Sequence, residues 1–540
     1  RLLPSWMKID RMPMYRKLIV ILFAVSQPVC LISQSPECFF VHFDKSFYVS
    51  GETLWFKIYK IDKSNEVQSR VLHVDLVDHK NQLVARQKLL LQNGATHGNI
   101  SLPIDAEEGY YRFRAFTRHD LNFEPPVVYQ ATLPVYQLNQ GKLTDSVVSL
   151  EDRTPPSSVN GISVTTNREI YQPRDSLEIS FKIKGAVAAG NSYSISVIPV
   201  ELAAPNLDRY ERLECPEFSL KQGTLKLPER SLFVQGSLQD PITGKQVNSR
   251  LLSVYVDKTA QLIRASAQNG RIRVSVPDYW GSGIFQIINL DPYNPSVLEL
   301  VQDSDLEAED PYVNPTPPQR SPKALNYLNQ TRKRRKIIEL FDLYQSAEIK
   351  TIVAEPKVPD ALYRAENFKQ IYSFEQFINE AIPNVKVRLV DSTKTVRLFY
   401  KDQGRLFEDH PWYLVDGFLT FNEEEVLQIP FQDIEEVRLY FRAETLEQYF
   451  HGFMLRSGVM EVITREVKYV RELKNSPNVV EIEGFAAPVD FGQTFIRPQS
   501  DKTPDLRGVM YWAPIVTTDQ SGNGHIKIPL SDDTGKYAVV

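Results

Sequence analysis

Short segments that alternate apolar and polar residues, separated by turn signals at regular intervals, dominate the first part of the chain. The opening segment, FFVHFDKSFYVSGETLWFKIYKID, alternates in this way and turns at Ser50-Gly51-Glu52. Further segments of this kind are 71–77, 83–91, 99–102 and 110–117, with turn signals at 78–81, 93–94 and 107–109. Alternation with period two is typical of half-buried strands, and many short strands at such spacing indicate a β-sandwich. The pattern therefore predicts a mainly β architecture.

The segment from Cys38 to about Gln137 resembles the MG2 domain of the macroglobulin family. The matching pieces are FDKSFYVSGETLWFK from Phe43, LQNGATHGNISLP from Leu91 and EEGYYRFRAFTR from Glu107. The resemblance implies a sandwich that serves as a spacer. Macroglobulins that trap proteases carry a Cys followed by a Glu-Gln pair, and no cysteine of this chain is followed by one, so we expect no covalent trapping.

Two further sandwiches are predicted after the first. ISVTTNREIYQPRDSLEISFKI, from Ile162, repeats the strand, turn and strand of the opening segment, and this internal echo predicts a second macroglobulin-like sandwich. From Glu229, ERSLFVQGSLQDPITGKQVNSRLLSVYV leads to NGRIRVSVPDYWGSGIFQIINLD. That run is similar to the carboxypeptidase-regulatory-like β-sandwich, a stalk module without peptidase chemistry.

The stretch 411–464 has a different pattern, which predicts a small α/β unit. Strands are predicted at 412–415, 434–440 and 459–463, and the connections between them are long enough for helices. Leu414-Val415-Asp416-Gly417, Ile434-Glu435-Glu436-Val437 and Gly458-Val459-Met460-Glu461-Val462-Ile463-Thr464 resemble the plug domain of TonB-dependent outer-membrane receptors. Plug domains do not catalyse. Because only about 75 residues follow Thr464, we expect no transmembrane barrel within this chain.

We therefore predict a mainly β fold of tandem macroglobulin/Ig-like β-sandwiches, followed by a small α/β plug-like domain and a C-terminal β segment. PDLRGVMYWAP in that last segment looks like sequences that accompany MG2 and plug-like regions in secreted proteins of Bacteroidota. The predicted units are a leader at 1–35, an MG2-like sandwich at 36–140, a second sandwich at 158–228, a carboxypeptidase-regulatory-like sandwich at 229–302, a Pro-rich linker at 303–323, a helix plus plug-like domain at 324–475, and a truncated C-terminal β segment at 476–540.

The N-terminal residues predict export. Arg16 and Lys17 follow Met14 and precede the apolar run 18–25, which is the pattern of a secretory signal peptide and too short for a membrane span. We expect the protein in the periplasm, at the outer membrane or on the cell surface. Lipidation of Cys30 is an open alternative, although the small residue that usually precedes a lipidated cysteine is missing.

The remaining sequence features argue against a metal site, a cofactor, a catalytic motif and nucleic-acid binding. Three cysteines, Cys30, Cys38 and Cys215, form no CxxC pair, and the eight histidines are scattered singly, so we expect no metal site and no cofactor. Cys38 and Cys215 fall in different predicted domains, so we expect no bridge between them. No Walker loop, GxSxG elbow or HExxH helix occurs. A formal net charge of -5 gives no basic field for nucleic acid, and the basic run at 332–336 is interpreted as a solvated side of a helix predicted at 324–345.

These patterns predict a non-enzymatic envelope protein that docks onto outer-membrane or surface proteins, including a separate barrel, and that can associate peripherally with the membrane. Recognition would use exposed sheet edges and interdomain grooves. The candidate anchors are Trp412, Tyr413, Phe418 and Trp512, for which packing in a core is the competing interpretation. The alternatives are a peptide- or glycan-binding component of a TonB-linked outer-membrane uptake system and a hydrolase with an unusual site.

Overall fold

The computed structural model confirms a mainly β protein built from β-sandwiches. It describes residues 35–61, 69–138, 161–183, 192–203, 217–222, 226–249, 252–256, 261–289, 298–302, 316–341, 357–390, 393–400, 403–450, 456–465, 475–493 and 503–540. Of the predicted leader, residues 1–34 lie outside the described residues, as do Cys30 and Cys215.

The first sandwich closely follows the strands predicted from alternation. Its strands are β1 (Phe39–Phe43), β2 (Tyr48–Val49), β3 (Thr53–Lys60), β4 (Val71–Val77), β5 (Leu83–Leu90), β6 (Ala95–Ser101), β7 (Gly109–Phe116), β8 (Phe123–Glu124) and β9 (Tyr129–Tyr136). One sheet has the order β1-β3-β6 and the other β2-β9-β7-β4-β5. The side chains between the two sheets form one apolar core that includes Phe56, Leu72 and Phe113.

The remaining elements continue in chain order. The strands up to residue 302 are β10 (Ile162–Thr166), β11 (Ser176–Ile183), β12 (Ser192–Pro199), β13 (Ser219–Leu220), β14 (Leu232–Gln239), β15 (Leu252–Val256), β16 (Gln261–Ala265), β17 (Arg271–Val276), β18 (Ser282–Asn289) and β19 (Glu299–Gln302). Next come α1 (Pro322–Leu340), β20 (Ala361–Arg364), α2 (Phe374–Ala381), β21 (Val385–Val390), β22 (Thr393–Tyr400), β23 (Arg405–Leu406), β24 (Trp412–Val415), β25 (Phe418–Thr420), α3 (Glu423–Leu427), β26 (Ile434–Tyr440), α4 (Ala443–Tyr449) and β27 (Val459–Thr464). The last strands are β28 (Val479–Glu483), β29 (Tyr511–Thr517), β30 (Asn523–Pro529) and β31 (Tyr537–Val539).

The C-terminal strands complete sandwiches that begin much earlier in the chain. β28 pairs with β18 in the third sandwich, whose other sheet has the order β17-β14-β19. β30 pairs with β11, and β29 and β31 flank β12, so these strands close the second sandwich. The prediction of a separate C-terminal β segment at 476–540 therefore differs from the structure. Alternation marks a strand but does not identify its partner, and these partners lie hundreds of residues away.

The six strands of the second sandwich each have a counterpart in the first. The sheet β10-β11-β30 corresponds to β1-β3-β6, and β12 lies between β29 and β31 as β4 lies between β5 and β7. The register corresponds as well, because Leu54 pairs with Ile100 and Leu177 pairs with Ile528. The internal echo read from the sequence is therefore a true structural repeat.

The turn before β3 and β11 is held by the same hydrogen bonds in both copies. In the first copy the Tyr48 hydroxyl and the Trp55 amide both donate to Asp44 Oδ1, at 2.7 and 3.0 Å. In the second copy the Tyr171 hydroxyl and the Glu178 amide donate to Asn167 Oδ1, at 2.6 and 3.2 Å. Each turn also contains a left-handed residue, Gly51 with φ of 79° in the first copy and Arg174 with φ of 66° in the second. The copies differ in burial, because Tyr48 is buried and the second turn lies at the surface.

The two copies differ most at one hairpin. In the first sandwich β4 and β5 are joined by a tight turn, in which the Asp78 amide donates to the Gln82 carbonyl at 2.9 Å. In the second sandwich residues 200–510 lie between β12 and β29, and they contain the third sandwich, α1 and the α/β unit. Loop tips tolerate insertions best because few contacts cross them. The third sandwich, α1 and the α/β unit are thus an insertion between two strands of the second sandwich.

The α/β unit contains the three strands predicted for it. They lie in a five-stranded sheet of order β20-β26-β27-β24-β25, in which β24 and β27 are parallel. Asp416 and Gly417 form the two-residue turn between β24 and β25 and have φ values of 49° and 90°, as a tight hairpin turn requires. Asp416 also accepts hydrogen bonds from the Thr464 amide and hydroxyl, at 2.8 and 2.6 Å, which fixes β27 to this turn.

The α/β unit is attached to the third sandwich through one amide side chain. Gln286 on β18 donates to the Leu419 carbonyl and accepts from the Leu419 amide, both at 2.9 Å. Ile288 on the same strand packs in an apolar cluster with Leu414 and Tyr440 of the unit. The contact is buried, so the unit is held firmly against the strand.

Helix α1 forms where it was predicted, but its buried face was predicted wrongly. Its first turn is capped by the Ser321 side chain, which accepts from the Ala324 amide at 3.2 Å. Ile337, Phe341 and Tyr344 recur at i, i+4 and i+7 in the sequence, which predicts that they form the apolar face of the helix. Phe341 is exposed, however, and Ala324, Tyr327 and Leu328 are buried instead. Residues 342–345 of the predicted helix lie outside the described residues.

The basic run on α1 is solvated only in part, which corrects the second expectation for this helix. Lys333 and Lys336 are exposed, but the three arginines make contacts within the protein. Arg332 donates to the Leu138 carbonyl at 2.8 Å, and Arg335 donates to the Ser50 carbonyl. Arg334 is buried and donates to Asp533 at 2.9 Å. The arginines therefore connect the helix to both the first sandwich and the C-terminal strands.

Cys38 is disulfide-bonded, contrary to the expectation that no bridge forms. Its partner lies outside the described residues. The expectation rested on separate domains, but β13 pairs with β8 of the first sandwich. Cys38 packs beside β8, against Phe123 and Val127. A segment assigned to the second sandwich therefore lies on the first.

Candidate functional site

Most of the candidate anchor residues are packed in cores. Tyr413, Phe418 and Trp512 are only 1–2% exposed, and Trp412 is half-buried beside the exposed ring of Phe421, at 5.0 Å between ring centroids. A buried aromatic side chain is not available to a partner without local unfolding. Surface anchoring by Tyr413, Phe418 and Trp512 is therefore the wrong interpretation, because each fills space between elements.

Tyr413 belongs to a polar cluster centred on Glu423 rather than to a docking surface. Its hydroxyl donates to Glu423 Oε2 at 2.5 Å, and His410 Nδ1 lies 2.8 Å from the same oxygen. Burial and the Glu423 carboxylate raise the pKa of Tyr413 far above its ordinary value. Glu423 opens α3, whose N-cap is Asn422, as expected for a run of acidic residues at a helix N-terminus. The cluster joins α3 to β24 and holds no pair of carboxylates.

Trp512 lies where the first two sandwiches and α1 meet. Its ring stands 5.2 Å from the ring of His42, between centroids. The apolar side chains that share this junction are Phe47, Val49, Trp55, Tyr136, Leu138, Ile198, Leu202, Ala324, Tyr327, Leu328, Phe491, Val509 and Trp512. Apolar packing of this extent fixes the position of the first two sandwiches relative to each other.

A polar contact crosses the same junction beside Trp512. His42 Nδ1 and the Tyr59 hydroxyl lie 2.6 and 2.7 Å from Ser194 Oγ, which belongs to β12 of the second sandwich. Burial and the nearby Lys57 lower the pKa of His42 to about 4. Burial also lowers the pKa of Lys57 to about 8 and raises that of Tyr59 to about 12. Nothing in the sequence indicates this contact, because His42 and Ser194 lie on strands of different sandwiches.

The serine and histidine pair does not have the geometry of an activated nucleophile. In a catalytic triad a carboxylate orients the second ring nitrogen of the histidine. Here the second nitrogen, Nε2 of His42, has no hydrogen-bond partner among the described residues, and Tyr59 also engages the Ser194 hydroxyl. The pair instead joins two sheets across the junction.

An open groove of about 840 Å³ runs past this junction. One side is β29, with Tyr511, Pro514 and Ile515, and the other is the segment 488–492, with Val489 and Phe491. Ile515 is 58% exposed. The volume lies within the range of about 300–1,000 Å³ that is typical of ligand sites.

Two arginines beside the groove form bidentate pairs with carboxylates. Arg507 donates to both carboxylate oxygens of Asp505, at 2.8 and 2.5 Å, and both residues are buried. Arg174 donates to both carboxylate oxygens of Asp532, at 2.6 and 2.7 Å. Asp490 and Lys527 also line the groove and are exposed, so a ligand there would meet charged as well as apolar side chains.

Two further findings concern the rest of the described chain. No group of three or more His, Cys, Asp or Glu side chains is placed to hold a metal ion there. Among the described helices, none combines the length and the apolar character needed to cross a membrane.

No family model and no curated protein sequence matches the chain. Similar solved structures include trypsin-activated alpha-2-macroglobulin from Escherichia coli (12% identity, 94% of this chain and 41% of that chain, TM-score 0.22). Others are a Salmonella alpha-2-macroglobulin reacted with methylamine (12% identity, 94% of this chain and 39% of that chain, TM-score 0.21) and an Escherichia coli adhesin (11% identity, 49% of this chain and 64% of that chain, TM-score 0.15). The chain thus spans about two fifths of the length of the macroglobulins it matches. Because TM-scores of 0.22 and below are too low to transfer a function, the site is interpreted from its own geometry.

Proposed function

We propose that this protein is a non-enzymatic binding and scaffold protein of the bacterial envelope, and that it holds partner proteins in the groove between β29 of its second sandwich and the segment 488–492. The observation that carries this proposal is the groove itself, about 840 Å³ beside an edge strand. Partners would be outer-membrane or surface proteins, as the resemblance to macroglobulin and plug-like modules implies.

The junction that fixes the walls of the groove supports a binding role. The junction beneath it combines an apolar cluster, the contact of Ser194 with His42, and the arginines of α1. A site whose walls are already fixed loses little conformational entropy when a ligand binds. Such an arrangement favours recognition over the opening and closing that many enzymes use.

The plug-like α/β unit would act as a second docking module. Its connection to the third sandwich through Gln286 fixes its position, and its edge strand β20 presents the exposed Leu362. Export to the periplasm, the outer membrane or the cell surface would follow from the signal-peptide pattern at the N-terminus.

The proposal is tested by site-specific photo-crosslinking in cells. A benzoylphenylalanine replaces Ile515 in the groove, and a control chain carries it at Ile242, which is 92% exposed on the third sandwich. The proposal expects a defined envelope protein to be crosslinked from position 515 and not from position 242. Crosslinking of the same background proteins from both positions would refute it.

A second candidate function is the direct binding of a peptide or glycan for an outer-membrane uptake system. The volume of the groove and its aromatic residues Tyr511 and Phe491 favour it. It expects defined oligopeptides or oligosaccharides to raise the melting temperature of the purified protein, and to raise it less when Ile515 is replaced by Glu. A melting temperature that none of these ligands changes would exclude it.

A further inference from the structure

The second sandwich differs from the first beside its strand β31. In the first sandwich β9 lies between β7 and β2, antiparallel to β7 and parallel to β2. The counterpart of β7 is β31, because Gly535-Lys536-Tyr537 leads into β31 as Gly109-Tyr110-Tyr111 leads into β7. Among the described strands none corresponds to β9, and β31 is the outermost strand of its sheet.

The outer edge of β31 presents free backbone hydrogen-bonding groups. Ser196 and Val540 exchange both of their backbone hydrogen bonds, at 3.0 and 2.9 Å, and the Val200 amide donates to the Lys536 carbonyl at 3.0 Å. Bonded and non-bonded pairs alternate along an antiparallel ladder. The amides and carbonyls of Tyr537 and Val539 therefore point away from β12, where a further strand could pair with them.

Apolar side chains next to this edge are exposed, although their counterparts in the first sandwich are buried. Val41 on β1 is 4% exposed, whereas Val164 on β10 is 47% exposed. The two valines correspond, because Val41 pairs with the residue four places after Leu54 and Val164 with the residue four places after Leu177. The same difference in exposure separates three further pairs: Phe39 and Ile162, Phe47 and Ile170, and Phe113 and Val539.

Val164 points into the second sandwich and not to its outside. It pairs with Phe181 on β11, which belongs to the apolar core of that sandwich, and paired residues on neighbouring strands share one face of the sheet. In the first sandwich Val41 shares an apolar core with three residues of β9, which are Ala131, Leu133 and Val135. Val164 and the outer edge of β31 thus mark one open side of the second sandwich, at the place that β9 covers in the first.

We infer that this open side binds a β-strand that follows β31 in the polypeptide, as β9 follows β7. The strand would run antiparallel to β31 and would carry apolar side chains at alternate positions, because one of its faces would lie on the core. Chain order favours this occupant over a strand of another protein, since β9 is the next strand of its sheet after β7. A covalently connected strand also has a high effective concentration. The open side lies at the opposite edge of the sheet from β29, so it and the groove can be tested independently.

An extended chain tests whether the open side accepts such a strand. Residues 115–137 of the first sandwich, which contain β9, are appended after Val540, the counterpart of Arg114. The Tyr537 and Val539 amides should then exchange about tenfold or more slowly than in the unextended chain, because they gain hydrogen-bond partners. A matched extension carries Leu133→Ser and Val135→Ser in the appended copy and should give no protection. Equal exchange in all three chains, or equal protection by both extensions, would overturn the inference.

Crosslinking in the natural polypeptide identifies the occupant. Benzoylphenylalanine replaces Val164, and a control carries it at Ser163, whose side chain lies on the opposite face of β10. Position 164 should crosslink within the same chain, to a segment C-terminal to Val540, and position 163 should not. A crosslink from position 164 to another protein, to a second copy or to residues before Val540 would overturn the inference, as would the absence of any crosslink.

Discussion

The two copies of the turn before β3 and β11 offer a direct test of how burial sets the strength of one hydrogen bond. Tyr48→Phe and Tyr171→Phe each remove a tyrosine hydroxyl that donates to the equivalent position, Asp44 or Asn167. Both bonds have nearly the same length, 2.7 and 2.6 Å. They differ in burial, because Tyr48 and Asp44 are fully buried whereas the second turn is exposed, and in the acceptor, which is a carboxyl group in the first copy and a neutral amide in the second.

The magnitude follows from that difference. After Tyr48→Phe, Asp44 keeps the Trp55 amide as a donor but loses one of its bonds inside the protein, which costs about 1–3 kcal/mol. After Tyr171→Phe, water replaces the lost donor, so the change should stay within about 0.5 kcal/mol. The loss of about 1–3 kcal/mol in Tyr48→Phe corresponds to a roughly five- to hundredfold higher population of the open state of the first sandwich.

Hydrogen-exchange mass spectrometry measures the population of the open state separately in each sandwich. The amides of β3 should exchange roughly five- to hundredfold faster in Tyr48→Phe than in the wild type, and those of β11 should change about twofold at most in Tyr171→Phe. Similar acceleration in both variants would refute the reasoning, since it would mean that burial does not decide the cost.

Three further predictions concern other contacts. Burial keeps His42 neutral, since its pKa is about 4 in the folded protein against 6.5 in the unfolded chain. The free energy of unfolding should therefore fall by about 3 kcal/mol as the pH drops from 6.5 to 4. Urea unfolding at a series of pH values should show this dependence, and His42→Asn should abolish it. Gln286→Ala leaves the buried backbone groups of Leu419 without partners and should cost about 2–3 kcal/mol, seen as faster exchange of the β25 amides and contradicted by unchanged exchange. Cys38→Ser removes a disulfide and should destabilise the first sandwich by about 2–4 kcal/mol, measured as a lower calorimetric melting temperature; an unchanged value would contradict it.

Local features of the fold could be read from the sequence because they depend on neighbouring residues. Alternation located β4 and β5, and Asp416-Gly417 marked a tight turn because few residues other than Asp, Asn and Gly adopt left-handed conformations. The echo between the opening segment and the segment from Ile162 revealed a repeat for the same reason, since its turn is held by residues close in sequence.

Features that depend on distant residues could not be read in this way. Nothing local indicates that β11 pairs with β30, because residues 200–510 separate β12 from β29. The apolar stripe expected around Ile337 and Phe341 failed because the neighbours of α1, and not its own period, decided which face is buried.

The candidate site shows the same limit. Aromatic side chains beside predicted turns suggested anchors, but Phe418 and Trp512 are buried by elements that the sequence could not place beside them. The groove depends on β29 returning to the second sandwich beside the segment 488–492. Its position could be inferred only after the strand pairing was known.

The most direct test of the account compares the proteins that copurify from envelope fractions with the wild-type chain, Ile515→Glu and Ile242→Glu, quantified by mass spectrometry. A protein that binds in the groove should be recovered with the wild type and with Ile242→Glu, and should fall about tenfold or more with Ile515→Glu. Equal recovery from all three chains would contradict the claim that this protein works by holding a partner along β29.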